Sequence, residues 1–231
     1  MEWQQAGPDE ILLMRGLGKI RQLSALGAVA AICMLWLPGF AQSREVVALG
    51  DSLVAGLGLS EPEAFVGQLQ GELARRGHTV SIVNAGVSGD TSAAGLARLD
   101  WSIPEGTSGV IVELGANDML RGVDPAQTRA NLAAILGRLQ QRKIAVLLVG
   151  MRASPNMGAE YAAAFDAIYP DLARQFQVPL YPFFLEGVAA EPAFNQVDGM
   201  HPNAEGVKQI VMRFLPAMEA FIAAKIMPSA N

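Results

Sequence analysis

The chain is predicted to fold as an α/β protein: a three-layer α/β/α sandwich on a five-stranded parallel sheet. Three observations carry that expectation. Short β-branched runs alternate with helix-period stretches along the 231 residues. Each run stops at a glycine or a cluster of polar residues, and no two runs are joined by a hairpin dipeptide. Strands connected only through helices pair in parallel by right-handed crossovers, which place helices on both faces of the sheet.

Taken in order, Val46-Val47-Ala48-Leu49 is the first strand, and Gly50-Asp51-Ser52-Leu53 ends it abruptly. Ser60-Glu61-Pro62-Glu63 has the spacing of a capping box with proline in the first turn, so a helix is expected from there to about Arg76, stopped by Gly77. Thr79 to Val83 is the second strand, Asn84 to Thr91 a glycine-bearing loop, and Thr91 to Leu99 a short helix. Val110 to Leu114 is the third strand, running into Gly115-Ala116-Asn117-Asp118. Asp124 as N-cap, Pro125 at the first helical position and Gln127 at the third open a helix that reaches Arg142. Ile144 to Val149 is the fourth strand and Met151 to Met157 a loop. One long helix from Ala159 to Phe176 is expected to kink at Pro170. Val178 to Tyr181 is the fifth strand, and Asn203 caps a closing helix that runs to about Ala224.

A hydrophobic content of 51% over this length supports one sizeable core and a single catalytic domain. The net charge of −5 and the absence of any Lys/Arg run exclude nucleic acid as a partner. Arg15, Lys19 and Arg21 precede the apolar run Leu23 to Phe40, which leaves through Leu37-Pro38-Gly39-Phe40-Ala41. A basic flank, apolar centre and small-residue exit make a secretory signal. Residues 1–41 are therefore expected to be removed after Ala41, leaving a domain of residues 42–231 that is periplasmic or secreted, monomeric and without stable membrane association. Met1 to Leu13 is acidic, unlike the start of a signal, which places the biological start at Met14. The competing reading is an uncleaved membrane anchor, since the run nears the ~18 apolar residues of a spanning helix; Pro38 and Gly39 favour cleavage. The single cysteine, Cys33, lies in the leader behind a bulky Ile32, so the mature domain has no disulfide and no thiol chemistry.

Ser52 stands at the C-terminal end of a buried strand, where open α/β sheets keep their chemistry, and is a candidate nucleophile. Asp51 and Ser52 also suit a plain turn or helix cap. Two histidines could supply a base. His78 falls in an exposed helix-to-strand turn, whereas His201 lies in Asp198-Gly199-Met200-His201-Pro202, just before the last helix. An Asp three residues before a His can set a carboxylate against one ring nitrogen and leave the other facing outward, the arrangement a serine nucleophile needs. Gly89, lacking a side chain, can bring its N–H close to a substrate, and Asn117 can point an amide donor into the same space. With no cysteine and one suitable histidine, no zinc-ligand spacing is present, and no metal or cofactor is expected. The convergence of nucleophile, donors and Asp–His pair after different strands is what separates this reading from four ordinary turns.

Gly50-Asp51-Ser52-Leu53, Asn84 to Thr91, Gly115-Ala116-Asn117-Asp118 and Asp198 to Pro202 resemble, in order, the four signature blocks of the SGNH (GDSL) hydrolases. The resemblance covers about Val46 to Phe221. It implies a flavodoxin-like sheet of order 2-1-3-4-5, with Ser52 as nucleophile, His201 as base and Asp198 as its orienter. The Ser52 N–H, the Gly89 N–H and the Asn117 side chain would form the oxyanion hole. Ala93 to Leu99, Asn117 to Gly122, Ala167 to Pro170 and Val178 to Leu180 are similar to the bacterial periplasmic acyl-thioesterase/lysophospholipase branch, also called arylesterases. That likeness implies hydrolysis of thioesters, aryl esters and lysophospholipids through an acyl-enzyme. Carbohydrate O-acetyl esterase activity and a non-catalytic, membrane-anchored binding protein are the alternatives. Phe183, Phe184, Leu185 and Phe194, after the fifth strand, are candidate walls of an acyl groove, although aromatic side chains near a sheet end also serve as core.

Overall fold

The computed structural model describes residues 44–227; the expected signal and its cleavage site lie outside the described residues. β1 (Arg44–Gly50) is an interior strand. A one-turn helix, α1 (Ser52–Ala55), follows directly, then a 3-10 turn (Glu61–Glu63), α2 (Phe65–Arg75) and β2 (Val80–Gly86). The capping box forms, with Ser60 N–H and Oγ both donating to Glu63 Oε2, but it closes the 3-10 turn rather than the long helix. Ala64 is extended, so the expected single helix divides there. β2 runs three residues past the expected end, because Asn84, Ala85 and Gly86 continue the ladder opposite Ala48, Leu49 and Gly50.

The second half of the sheet is β3 (Gly109–Glu113), β4 (Ala145–Val149) and β5 (Leu180–Tyr181). α3 (Ser92–Ala97) and α4 (Leu99–Ser102) lead into β3; α5 (Ala116–Leu120) and α6 (Pro125–Gln141) connect it to β4. β5 is shorter than expected because Pro179 has no N–H to give the ladder, although its carbonyl still accepts from Leu148. Between β4 and β5 the expected kinked helix is two helices, α7 (Ala159–Asp166) and α8 (Ile168–Phe176). The break falls at Ala167, which puts Pro170 in the first turn of α8, where its missing N–H costs no intrahelical bond. α9 (Ala204–Phe221), capped by Asn203 Oδ1 on the Gly206 N–H, closes the fold.

All pairings are parallel and the order is β2-β1-β3-β4-β5, as expected. α2 packs with α9 against one face, and α3, α6 and α8 pack together against the other. β1, β3 and β4 are buried on both faces, which is why they read as continuous apolar runs, whereas the edge strands β2 and β5 are partly exposed. On the α2/α9 side, Phe65 meets Phe184 and Phe214 edge to face, at centroid distances of 4.9 and 5.4 Å.

The register fixes where chemistry can sit. Gly50 pairs with both Gly86 and Glu113, Glu113 with Val149, and Val149 with Tyr181, so the strand ends form one row. Chain direction across the sheet reverses between β1 and β3, and the crevice there is where open α/β sheets take ligands. Ser52 and Asn117 begin the segments on its two sides. Gly50 is needed for this: a Cβ there would lie 2.3 Å from Val54 Cγ2 and 2.9 Å from the Glu113 carbonyl, so only glycine lets α1 settle on the strand ends.

Candidate active site

Ser52 is the first residue of α1 and is only 9% exposed. Its Oγ lies 2.9 Å from His201 Nε2 across 149 residues of sequence. His201 Nδ1 is 2.7 Å from Asp198 Oδ2. The Asp198 Oδ1 atom accepts from the backbone N–H groups of Met200 and His201, at 2.9 and 3.0 Å. These two backbone donors, together with the imidazole, hold the Asp198 carboxyl down at about 2, so it stays ionised at any pH at which the site works. The loop that carries the pair is itself tied: Gln196 N–H donates to His201 C=O at 2.7 Å, and Asn195 bridges to Pro202. An imidazole with a carboxylate on Nδ1 presents Nε2 as a proton acceptor to the serine hydroxyl.

Asn117 and Gly89 reach the same crevice by separate tethers. Asn117, in the first turn of α5, donates from Nδ2 to Asp51 Oδ2 at 3.0 Å, next to the nucleophile. Gly89 stands on the loop after β2, which is anchored by the Val87 N–H on the Gly50 carbonyl. The Gly89 carbonyl accepts from Arg121 Nη2 at 2.7 Å, joining this loop to the end of α5. Nothing crowds the place of a Gly89 Cβ beyond Arg121 Nη2 at 3.6 Å. The Gly89 backbone φ of +85° is one that favours glycine.

The aromatic segment after β5 divides. Phe184 is a core residue, 1% exposed under Phe65, with its N–H on the Gly150 carbonyl. It presents no surface to a ligand, which corrects its reading as a groove wall; packing of α2 against the sheet takes the ring inward. Phe183, Leu185 and Phe194 are partly exposed. Phe183 lies beneath the Arg152 guanidinium at 4.9 Å, and Phe194 packs behind α9, its carbonyl 2.1 Å from where a Gly206 Cβ would be. His78 pairs with Glu219 at 3.2 Å in the turn before β2, at the opposite edge of the sheet from Ser52.

Several groups of the site escaped the sequence reading. Asp51 is fully buried and serves three neighbours: Leu53 N–H as a helix cap, Asn117, and, through its own N–H, Glu113 Oε2 at 3.4 Å. Glu113 ends β3 with no exposure at all. An acid inside the run Val110-Ile111-Val112-Glu113-Leu114 was the available signal, since a lone charge on a two-face-buried strand has to have a purpose. The Arg98–Asp90 ion pair at 2.5 Å braces the Gly89 loop, and Arg98 Nη2 also donates to the Gly50 carbonyl at 2.9 Å. Asp118 collects Ser92 N–H, Ser92 Oγ and Thr128 Oγ1, pinning α5 to α3 and α6. Among the described residues no group of three or more His, Cys, Asp and Glu side chains has a metal-holding arrangement.

The GDSL-like Lipase/Acylhydrolase family model matches residues 48–209, a span that begins in β1 and includes all four signature blocks. The chain belongs to that family. It is 37% identical to "Esterase TesA" of Pseudomonas aeruginosa over 201 residues, 87% of this chain and 100% of that one. It is 43% identical to "Thioesterase 1/protease 1/lysophospholipase L1" of Escherichia coli K12 over 166 residues, 71% of this chain and 78% of that one. Among solved structures, AlinE4, described as an SGNH-hydrolase family esterase, superposes with a TM-score of 0.67 at 48% identity, over 79% of this chain and 98% of that one. The sheet order bears out the fold expected from the signature blocks, and these likenesses bear out the bacterial esterase and thioesterase branch expected from Ala93 to Leu99, Asn117 to Gly122, Ala167 to Pro170 and Val178 to Leu180.

Proposed function

We propose that this hydrolase is a serine esterase and thioesterase that cleaves aryl esters, acyl thioesters and lysophospholipids through an acyl-enzyme. The observation that carries the reading is the unbroken chain Ser52 Oγ, His201, Asp198, at 2.9 and 2.7 Å. Ser52 Oγ attacks the substrate carbonyl while His201 Nε2 takes its proton, and Asp198 stabilises the imidazolium. The oxyanion that forms is met by the N–H groups of Ser52 and Gly89 and by Asn117 Nδ2. His201 then protonates the departing alcohol or thiol, and a water activated by the same nitrogen frees the acid. The reaction so described needs only these side chains and water, and the enzyme is proposed to act as a monomer on small-molecule substrates.

The acyl chain belongs, on this reading, beside the loop that follows β4 and the partly exposed Phe183, Leu185 and Phe194. Tyr161 Oη donates to the Val123 carbonyl at 2.9 Å, tying the start of α7 to the segment between α5 and α6. The decisive experiment is a panel of p-nitrophenyl esters and acyl thioesters of increasing chain length. Turnover is expected to rise to a medium chain, each buried methylene contributing up to ~0.8 kcal/mol. Shortening Met151 to Met157 should flatten the rise and spare acetate esters. A decline from acetate onward would replace this reading with acetyl-ester hydrolysis.

The address proposed is the periplasm or beyond, with residues 1–41 as a cleaved signal and 42–231 as the mature domain. No helix among the described residues is long and apolar enough to cross a membrane. Edman sequencing of exported protein should begin at Gln42; an intact leader would indicate an anchor.

A further inference from the structure

Two carboxyl groups that the proposed reaction does not use lie together directly beneath the nucleophile. Asp51 and Glu113 are both fully buried, and Glu113 Oε1 has no hydrogen-bond partner. Two charges cannot both persist there, and the contacts decide which side chain is ionised. Asp51 accepts from Leu53 N–H and from Asn117 Nδ2, each at 3.0 Å, and faces His201. Glu113 has as its one N–H donor the Asp51 backbone, at a long 3.4 Å, and otherwise faces the Asp51 carboxyl itself. Burial, and then the Asp51 charge, push the Glu113 carboxyl well above the usual range. Burial pushes Asp51 up to about 6, against the pull of its donors.

We infer that Asp51 is a positioning residue for Asn117: its carboxylate, kept as the only charge by a neutral Glu113 beneath it, fixes which end of the Asn117 amide faces the reacting carbonyl. A carboxylate can only accept, so it captures the NH2 end of the amide. The second N–H of the same nitrogen is left for the oxyanion, and the amide oxygen, which would repel it, is turned away. If Asp51 took a proton or became an amide, either amide orientation could be satisfied and the hole would lose its definition. The inference rests on the proposed role of Asn117. The other charged groups facing the pair are His201, Asp90 in its ion pair with Arg98, and Asp118 and Asp166 around the buried Tyr169 phenol.

Asp51→Asn is the test, because asparagine caps a helix as aspartate does and a cooperative melt will report the fold intact. With a p-nitrophenyl ester, kcat should fall about ten-fold or more while KM stays within about two-fold, as for an interaction made only in the transition state. Placed in an Asn117→Ala background, the same substitution should cost less than about two-fold. An undiminished loss in that background overturns the inference, as does a kcat unaffected by Asp51→Asn. If Asn117→Ala alone leaves kcat intact, it is the oxyanion assignment that fails. The pH profile separates positioning from mere support. The activity of the unsubstituted enzyme should show a loss as pH falls through about 6, where Asp51 takes its proton, and Asp51→Asn should lack that step. Glu113→Gln should keep the step; its disappearance in that variant would place the charge on Glu113 and overturn the assignment.

Discussion

Ser52, His201 and Asp198 are arranged so that each fixes the next, and that dependence sets what substitution should do. Ser52→Ala and His201→Ala are each expected to abolish turnover with the fold intact, and the double variant should be scarcely slower than either, because the groups act as a unit. Steady-state kinetics with urea melts alongside would check this; full activity in Ser52→Ala would remove the mechanism. Asp198 and Asp51 pull stability in opposite directions with pH. The Asp198 carboxyl lies below its ordinary 3.8 in the folded chain, so its contribution is complete above that value and is lost as pH falls through about 2. Asp51 lies above 3.8, at about 6, so the folded state gains stability as pH falls from 6 towards 3.8. The triad was legible in the sequence because Asp-x-x-His and Gly-Asp-Ser are local patterns. Asp51's grip on Asn117 was not, since it joins residues 66 apart whose types also suit ordinary turns.

At the level of elements, the helices and strands were readable wherever one local signal acted alone. They misled wherever two signals competed. Ser60 to Glu63 does form its box, yet the box closes a separate turn; Pro170 acts as a helix start rather than a kink. Strand ends moved because pairing with a neighbour, invisible in any window of sequence, decides where a ladder stops. The Gly89 loop shows what such cross-chain ties accomplish. Arg98 and Asp90, with side chains 8% and 12% exposed, hold it against the end of β1. Arg98→Met would leave Asp90 without its partner and should destabilise the fold by about 3 kcal/mol or more, measurable in urea unfolding. It should also lower kcat more than KM, since the loop would no longer hold the Gly89 N–H in place. Unchanged kcat in a destabilised variant would limit Arg98 to a structural role.

Across the whole molecule, the five strand ends in one row explain how a site can be assembled from segments scattered over the chain. α/β class, parallel pairing and strand order were all legible, because alternation constrains them and the signature blocks implied the rest. The acyl-binding walls were not, since Phe184 and a true groove residue look alike until α2 is packed against the sheet. One further property follows from the 149 residues between the serine and its base. Nucleophile, donors and their braces all lie between Gly50 and Arg121, whereas His201 stands on the final loop, held by Gln196 and the Asn195–Pro202 bridge and followed only by α9. During synthesis His201 is therefore the last of these groups to be made, so a chain that stops short of the final loop would carry Ser52 without its partner.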